Sequence, residues 1–117
     1  MSTQTAELEG RIDYIEFPAT DAYVAKSFYS EVFGWKFEDY GPGYTSFADG
    51  RIAGGFHRSE EAVKPLVVIY SAQLEDVLAK LKAGGATVVK EIFDFPGGRR
   101  FHFQDPAGNE LAVWSDK

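Results

Sequence analysis

The sequence predicts an α+β fold built from two successive βαβββ modules, their sheets side by side, with helices on the convex side and a concave face left open. Three observations carry that prediction. A strand-like run, a helix-spaced run and three short strand-like runs follow one another, and the same order recurs offset by about 52 residues. Turns rich in Gly, Pro, Asp and Asn separate the short runs. The final stretch, Arg99 to Trp114, is a complete hairpin whose alternate residues belong in different environments.

The N-terminal MSTQTAELEG is polar and reads as a short frayed arm. Arg11 to Phe17 alternates as a strand, with Ile15 and Phe17 on one face and Tyr14 and Glu16 on the other, and Pro18 ends it. Asp21 is a good N-cap for the helix that follows. Val24, Ala25, Phe28, Val32 and Phe33 lie at helical spacing along one side of it, and Gly34 is its stop. Trp35 to Tyr40, Tyr44 to Phe47 and Ile52 to His57 are strand-like, separated by Gly41-Pro42-Gly43 and Asp49-Gly50.

After a charged linker, Arg58 to Lys64, Leu66 to Tyr70 begins the second cycle. Leu74, Val77, Leu78 and Leu81 mark a helix stripe that Gly84-Gly85 closes. Ala86 to Phe93 and the hairpin opened by Phe95-Pro96-Gly97-Gly98 supply the last strands. Gly97-Gly98-Arg99-Arg100 could cradle an anion, but reads better as a hairpin turn with solvated arginines. Within the final hairpin, Asp105-Pro106-Ala107-Gly108-Asn109 is turn chemistry. Leu111 and Val113 then share a face suited to a core, while Glu110, Ala112 and Trp114 share one suited to a cavity wall. Module one covers about 11–58 and module two about 65–115 of one domain, 1–117.

The composition narrows the partners. With no cysteine, disulfides, thiolate nucleophiles and zinc-thiolate sites are excluded. A formal charge of −6 repels nucleic acid. No run approaches a membrane span and no leader is read at the N-terminus, so the expectation is a cytoplasmic chain with no membrane partner. Aromatic residues at 15% exceed what a small core needs, which points to rings facing a ligand.

IDYIEFPATD entering a helix, FYSEVFGWKF leaving it, LAKLKAGGATVV at the end of the second helix and FQDPAGNELAVW resemble, in this order, the vicinal oxygen chelate superfamily of glyoxalases, bleomycin-resistance proteins and dioxygenases. The resemblance runs from Ile12 to Ser115. It implies a cup-shaped half-barrel, usually in a homodimer, and in catalytic members a divalent metal held in the cup by four His or Glu side chains. Carried over onto this sequence, the first ligand position falls on Tyr14, the third on Leu66 and the fourth on Ala112. The second lies within Ile52 to Phe56, which contains no ligand type. Tyr, Leu and Ala do not supply the donors such an ion needs, so no cofactor is expected and a divalent metal is disfavoured.

The expected function is therefore binding of a small organic molecule, flat or cationic, in an aromatic cup lined by Tyr14, Glu16, Leu66, Tyr70, Ala112 and Trp114. The alternative is an enzyme of the lyase, isomerase or dioxygenase type. It would use either a displaced metal site, for which Glu16, Glu110 and His57 are candidates, or metal-free acid–base chemistry on Glu16, Glu110 or His102. His102 is otherwise read as a surface residue of its strand, facing away from Phe101 and Phe103.

Overall fold

A computed structural model describes residues 5–61 and 63–117. It is an α+β fold whose chain separates into two compact units, residues 14–66 and residues 67–117 with the described stretch before Tyr14. Each is organised around one four-stranded sheet and one helix.

In the first unit, β1 (Arg11–Ala19) leads to α2 (Ala22–Phe33), then β2 (Lys36–Asp39), β3 (Tyr44–Ala48) and β4 (Ala53–Arg58), in the spatial order β2, β3, β4, β1. The β1–β4 pair is parallel and the other two pairs are antiparallel. A parallel neighbour needs a long crossover, which the helix and two intervening strands supply. Pro18 does not end β1: it pairs with His57 one residue before the terminus, where its missing N–H interrupts little of the ladder.

Asp21 caps α2 as its residue type predicts, its carboxylate accepting from the amides of Tyr23 and Val24. Gly34 ends the helix at φ 75°, a conformation in which a Cβ is costly. The buried side of the helix differs from the expected stripe. Ala22, Ala25 and Tyr29 face the sheet, packing with Phe17, Phe37, Phe47 and Phe56. Val24, Phe28, Val32 and Phe33 are exposed. The reason is an aromatic stack: Trp35 lies between Tyr29 and Phe47, 4.6 Å from each, so Tyr29 turns inward and Val24, Phe28, Val32 and Phe33 turn out.

In the second unit, β5 (Leu66–Tyr70) precedes α3 (Leu74–Ala83), β6 (Thr87–Phe95), β7 (Gly98–Gln104) and β8 (Glu110–Ser115), in the order β5, β8, β7, β6. The helix stripe read from the sequence does pack here. Leu74, Phe101, Phe103 and Val113 form the buried centre, with Ile69, Val77, Leu78, Leu81 and Leu111 against it. Asp105 holds the β7–β8 turn by accepting from the amides of Ala107 and Asn109.

Part of the expected frayed arm is tied down, its first four residues lying outside those described. After the short helix α1 (Thr5–Leu8), the Glu9 carboxylate accepts from the Ser71 hydroxyl and the Ala72 amide, and the Gly10 amide bonds to the Tyr70 carbonyl. These bonds satisfy backbone groups between β5 and α3 that would otherwise be left over. The Arg pair after Gly98 is not solvated as a unit either, because successive strand residues point to opposite faces. Arg99 forks onto Glu75 of α3 at 2.5 and 3.3 Å, while Arg100 lies on the other face over Phe93 and Phe95.

Candidate functional site

Each sheet has one face packed on its helix and one, the open face, with no helix on it; the strand registers assign the side chains to them, and on the open face of the second unit Val68, Tyr70 and Ala112 are nevertheless buried. In the first unit, Phe17, Gly54, Phe56 and Phe47 belong to the helix side. Tyr14, Glu16, Ala53, Gly55, His57, Tyr44 and Ser46 belong to the other. Across that open face the hydroxyls of Tyr14 and Tyr44 share a hydrogen bond, and both lie over Gly55. A Cβ on Gly55 would come within 1.9 Å of the Tyr44 hydroxyl and 2.9 Å of that of Tyr14, so this position stays bare because two phenols cross it. The same register fixes the strand left open above: within Ile52 to Phe56, only Ala53 and Gly55 face the open side.

In the second unit the open face carries two rows. One runs Lys90, His102, Ala112 and Val68; the other runs Phe93, Arg100, Trp114 and Tyr70. Lys90 and Phe93 are an odd number of residues apart and would alternate in a regular strand. Irregularities in β6 on either side of Lys90 bring both onto the same face, a re-aiming that strand bulges perform. Tyr70 and Trp114 meet edge to face at 5.2 Å, and Phe95 lies 6.3 Å from Trp114. The Trp114 indole N–H donates to Asp13 at 2.9 Å and the Tyr70 hydroxyl to Asp116 at 2.5 Å. That bond holds the Asp116 carboxyl below the usual carboxylate range.

His102 is less exposed than its reading as a strand surface residue, with its side chain 12% accessible, and it is bonded through Nδ1 to Glu110 at 3.1 Å. Burial, first, lowers its pKa; the Glu110 hydrogen bond opposes that, and the charges of Arg100 and Lys90 add to the lowering. A neutral imidazole that donates from Nδ1 to a carboxylate leaves Nε2 as an acceptor. Nε2 is buried and has no hydrogen-bond partner among the described residues.

The candidates named from sequence thus divide between the units. Tyr14, Glu16 and His57 are on the open face of the first. Tyr70, Ala112, Trp114, Glu110 and His102 are on that of the second, and Leu66 shares strand parity with Tyr70 at the start of β5. Sequence reasoning did not single out Tyr44, Lys90, Phe93, Phe95 or Arg100 for these faces. Tyr44 could have been found from the bare Gly55 that its ring lies over; Phe93 was hidden by the irregular strand.

The model of the Glyoxalase/Bleomycin resistance protein/Dioxygenase superfamily matches residues 11–113. The chain belongs to this superfamily. A curated relative, the putative glyoxylase CFP32 of Mycobacterium tuberculosis, is 29% identical over 91% of this chain and 46% of its own length. The chain therefore spans about half the length of the curated relatives it matches. Solved structures share the fold at low identity. The hypothetical protein BH1468 of Bacillus halodurans has a TM-score of 0.76 at 15% identity, covering 92% of this chain and 95% of that one. Methylmalonyl-CoA epimerase of M. tuberculosis scores 0.70 at 14%, covering 91% and 87%. The Mn(II)-bound glyoxalase of Novosphingobium aromaticivorans scores 0.68 at 22%, covering 90% and 38%.

Other members of this superfamily hold metals, and the donor set here does not fit one. The ligand positions carried over by resemblance are a phenol already bonded to a second phenol, a leucine, and an alanine with 0% exposure between Val68 and His102. Only Tyr14 among them has a donor atom, and an ion taken from water needs several. Among the described residues no three His, Asp or Glu side chains gather as a metal site.

Proposed function

We propose that this superfamily member binds a small organic molecule on an aromatic open face, without a divalent metal. The observation that supports this most is the chemistry at the family's ligand positions, where Tyr14, Leu66 and Ala112 stand. Trp114, Phe93 and Phe95 supply ring surface in the second unit, where a planar ligand gains contact area at little entropic cost. Protein purified without chelator is expected to carry well under one equivalent of Zn, Ni, Fe or Mn per chain by elemental analysis, and its melting temperature should not rise with added divalent ions. About one equivalent per chain would overturn the reading.

A second reading is favoured by one contact. Glu110 orients His102 through Nδ1, the arrangement that lets an imidazole act as a general base at Nε2, so metal-free proton transfer is the enzymatic alternative.

We also propose a homodimer. The exposed apolar row Val24, Phe28 and Val32 on α2, 65%, 53% and 56% accessible, is surface that a second copy would remove from water. Light scattering should give twice the chain mass at micromolar concentration, and Phe28→Glu should shift it toward the monomer. A monomeric wild type would count against this.

A further inference from the structure

The two rows on the open face of the second unit carry a charge pattern that selects among small molecules. Phe93 is the centre of it. Lys90 Nζ lies 4.7 Å from its ring centroid and the Arg100 guanidinium 5.5 Å, with Arg100 also 5.6 Å from Phe95. The His102 ring is 5.9 Å from Phe93 on the same face. A ligand cation seeking these rings would meet the protein's own cations on them, and like charges disfavour that encounter. Three carboxylates of this unit are each engaged by a donor: Asp13 by Trp114, Asp116 by Tyr70 and Glu110 by His102. Beside them lies the buried Nε2 of His102, an acceptor without a partner among the described residues. A buried acceptor left unpaired is destabilising, and a ligand donor would relieve that.

We propose that this face recognises a planar organic acid that also carries a hydroxyl: the acid group beside Lys90 and Arg100, the ring against Phe93 and Trp114, and the hydroxyl donating to His102 Nε2. The inference rests on the reading of the chain as a small-molecule binder and names the ligand's class. Each part of the ligand has a separate reason. The anion answers two cations, the plane answers the rings, and the hydroxyl answers one acceptor held in its tautomer by Glu110. Lys90 is exposed on the edge strand β6, within reach of an acid group in solution. The acidic net charge of the whole chain slows the approach of an anion, so affinity must come from this local pattern and not from steering.

The test uses three probes: 3-hydroxybenzoate, benzoate and benzyltrimethylammonium. Binding is followed by thermal shift, by indole fluorescence and by the imidazole nitrogen resonances. The chain has two histidines, so His57→Gln assigns them. The expected result is that 3-hydroxybenzoate binds about tenfold tighter than benzoate and moves the His102 Nε2 resonance, while benzyltrimethylammonium does not bind. Lys90→Gln should weaken both acids about tenfold, and His102→Phe should erase the preference for the hydroxyl while benzoate still binds. Binding of the cation but of neither acid overturns this inference and leaves the small-molecule reading standing. Silence from all three probes in every readout overturns both. Equal affinity for the two acids, with the His102 resonance unmoved, overturns the assignment of Nε2.

Discussion

Phe101→Ala should cost about 3–5 kcal/mol of stability, the range for removing a large ring from a closed core. Phe101 has 0% exposure, packs with Leu74, Phe103 and Val113, and lies 6.2 Å from the Phe103 ring. Its neighbours sit on two strands and a helix, so the space it leaves can be closed only by moving whole elements. Urea unfolding should show the midpoint fall with an unchanged slope. A loss below about 1 kcal/mol would mean that the site collapses freely and that the helix-side core is not closed as described. Because Phe101 points away from the face that carries His102 and Arg100, ligand binding by the folded variant should be unchanged.

Gly54→Ala should be strongly destabilising, about 3 kcal/mol, by overpacking instead of by lost contacts. An added Cβ would lie 2.3 Å from the Ile15 carbonyl oxygen and 2.4 Å from the Phe47 ring. The ring could shift, but the carbonyl belongs to the parallel partner strand and cannot without opening the β1–β4 ladder. Trimming Phe47 should therefore rescue little. Gly43→Ala is the control, since nothing lies within 4 Å of its added Cβ and its stability should change by less than about 0.5 kcal/mol. Equal effects of the two substitutions in thermal unfolding would contradict the close approach of β4 to β1.

The open faces bear on how the superfamily position of this chain is understood. Gly54 and Gly55 are adjacent and bare for opposite reasons, the first beneath Phe47 on the helix side and the second beneath Tyr44 on the open side. Where the resemblance implies a metal ligand in this stretch, two phenols close over the backbone. In the second unit His102, Lys90 and Arg100 gather around Phe93.

The amino-acid sequence by itself determined the features that depend on neighbours along the chain. Asp21 and Gly34 set the limits of α2 because capping is a local exchange between a side chain and adjacent amides. Asp105 to Asn109 set the last turn for the same reason. Strict alternation in Leu111 to Trp114 assigned each residue its face, since a strand has a period of two whatever it pairs with. The repeat of βαβββ gave the class.

Tertiary structure decided what depends on packing between distant segments. Periodicity located an apolar stripe on α2 but not its inward side, because three aromatic rings from other segments compete for the space and Tyr29 fits between them better than Val24 or Phe28. The irregularities of β6 broke the alternation that would have separated Lys90 from Phe93, and no local signal marks them. Glu9 looked like part of a loose arm until the chain brought Ser71 and Ala72 beside it. His102 read as a surface residue because its burial and its bond to Glu110 exist only once β7 and β8 are paired.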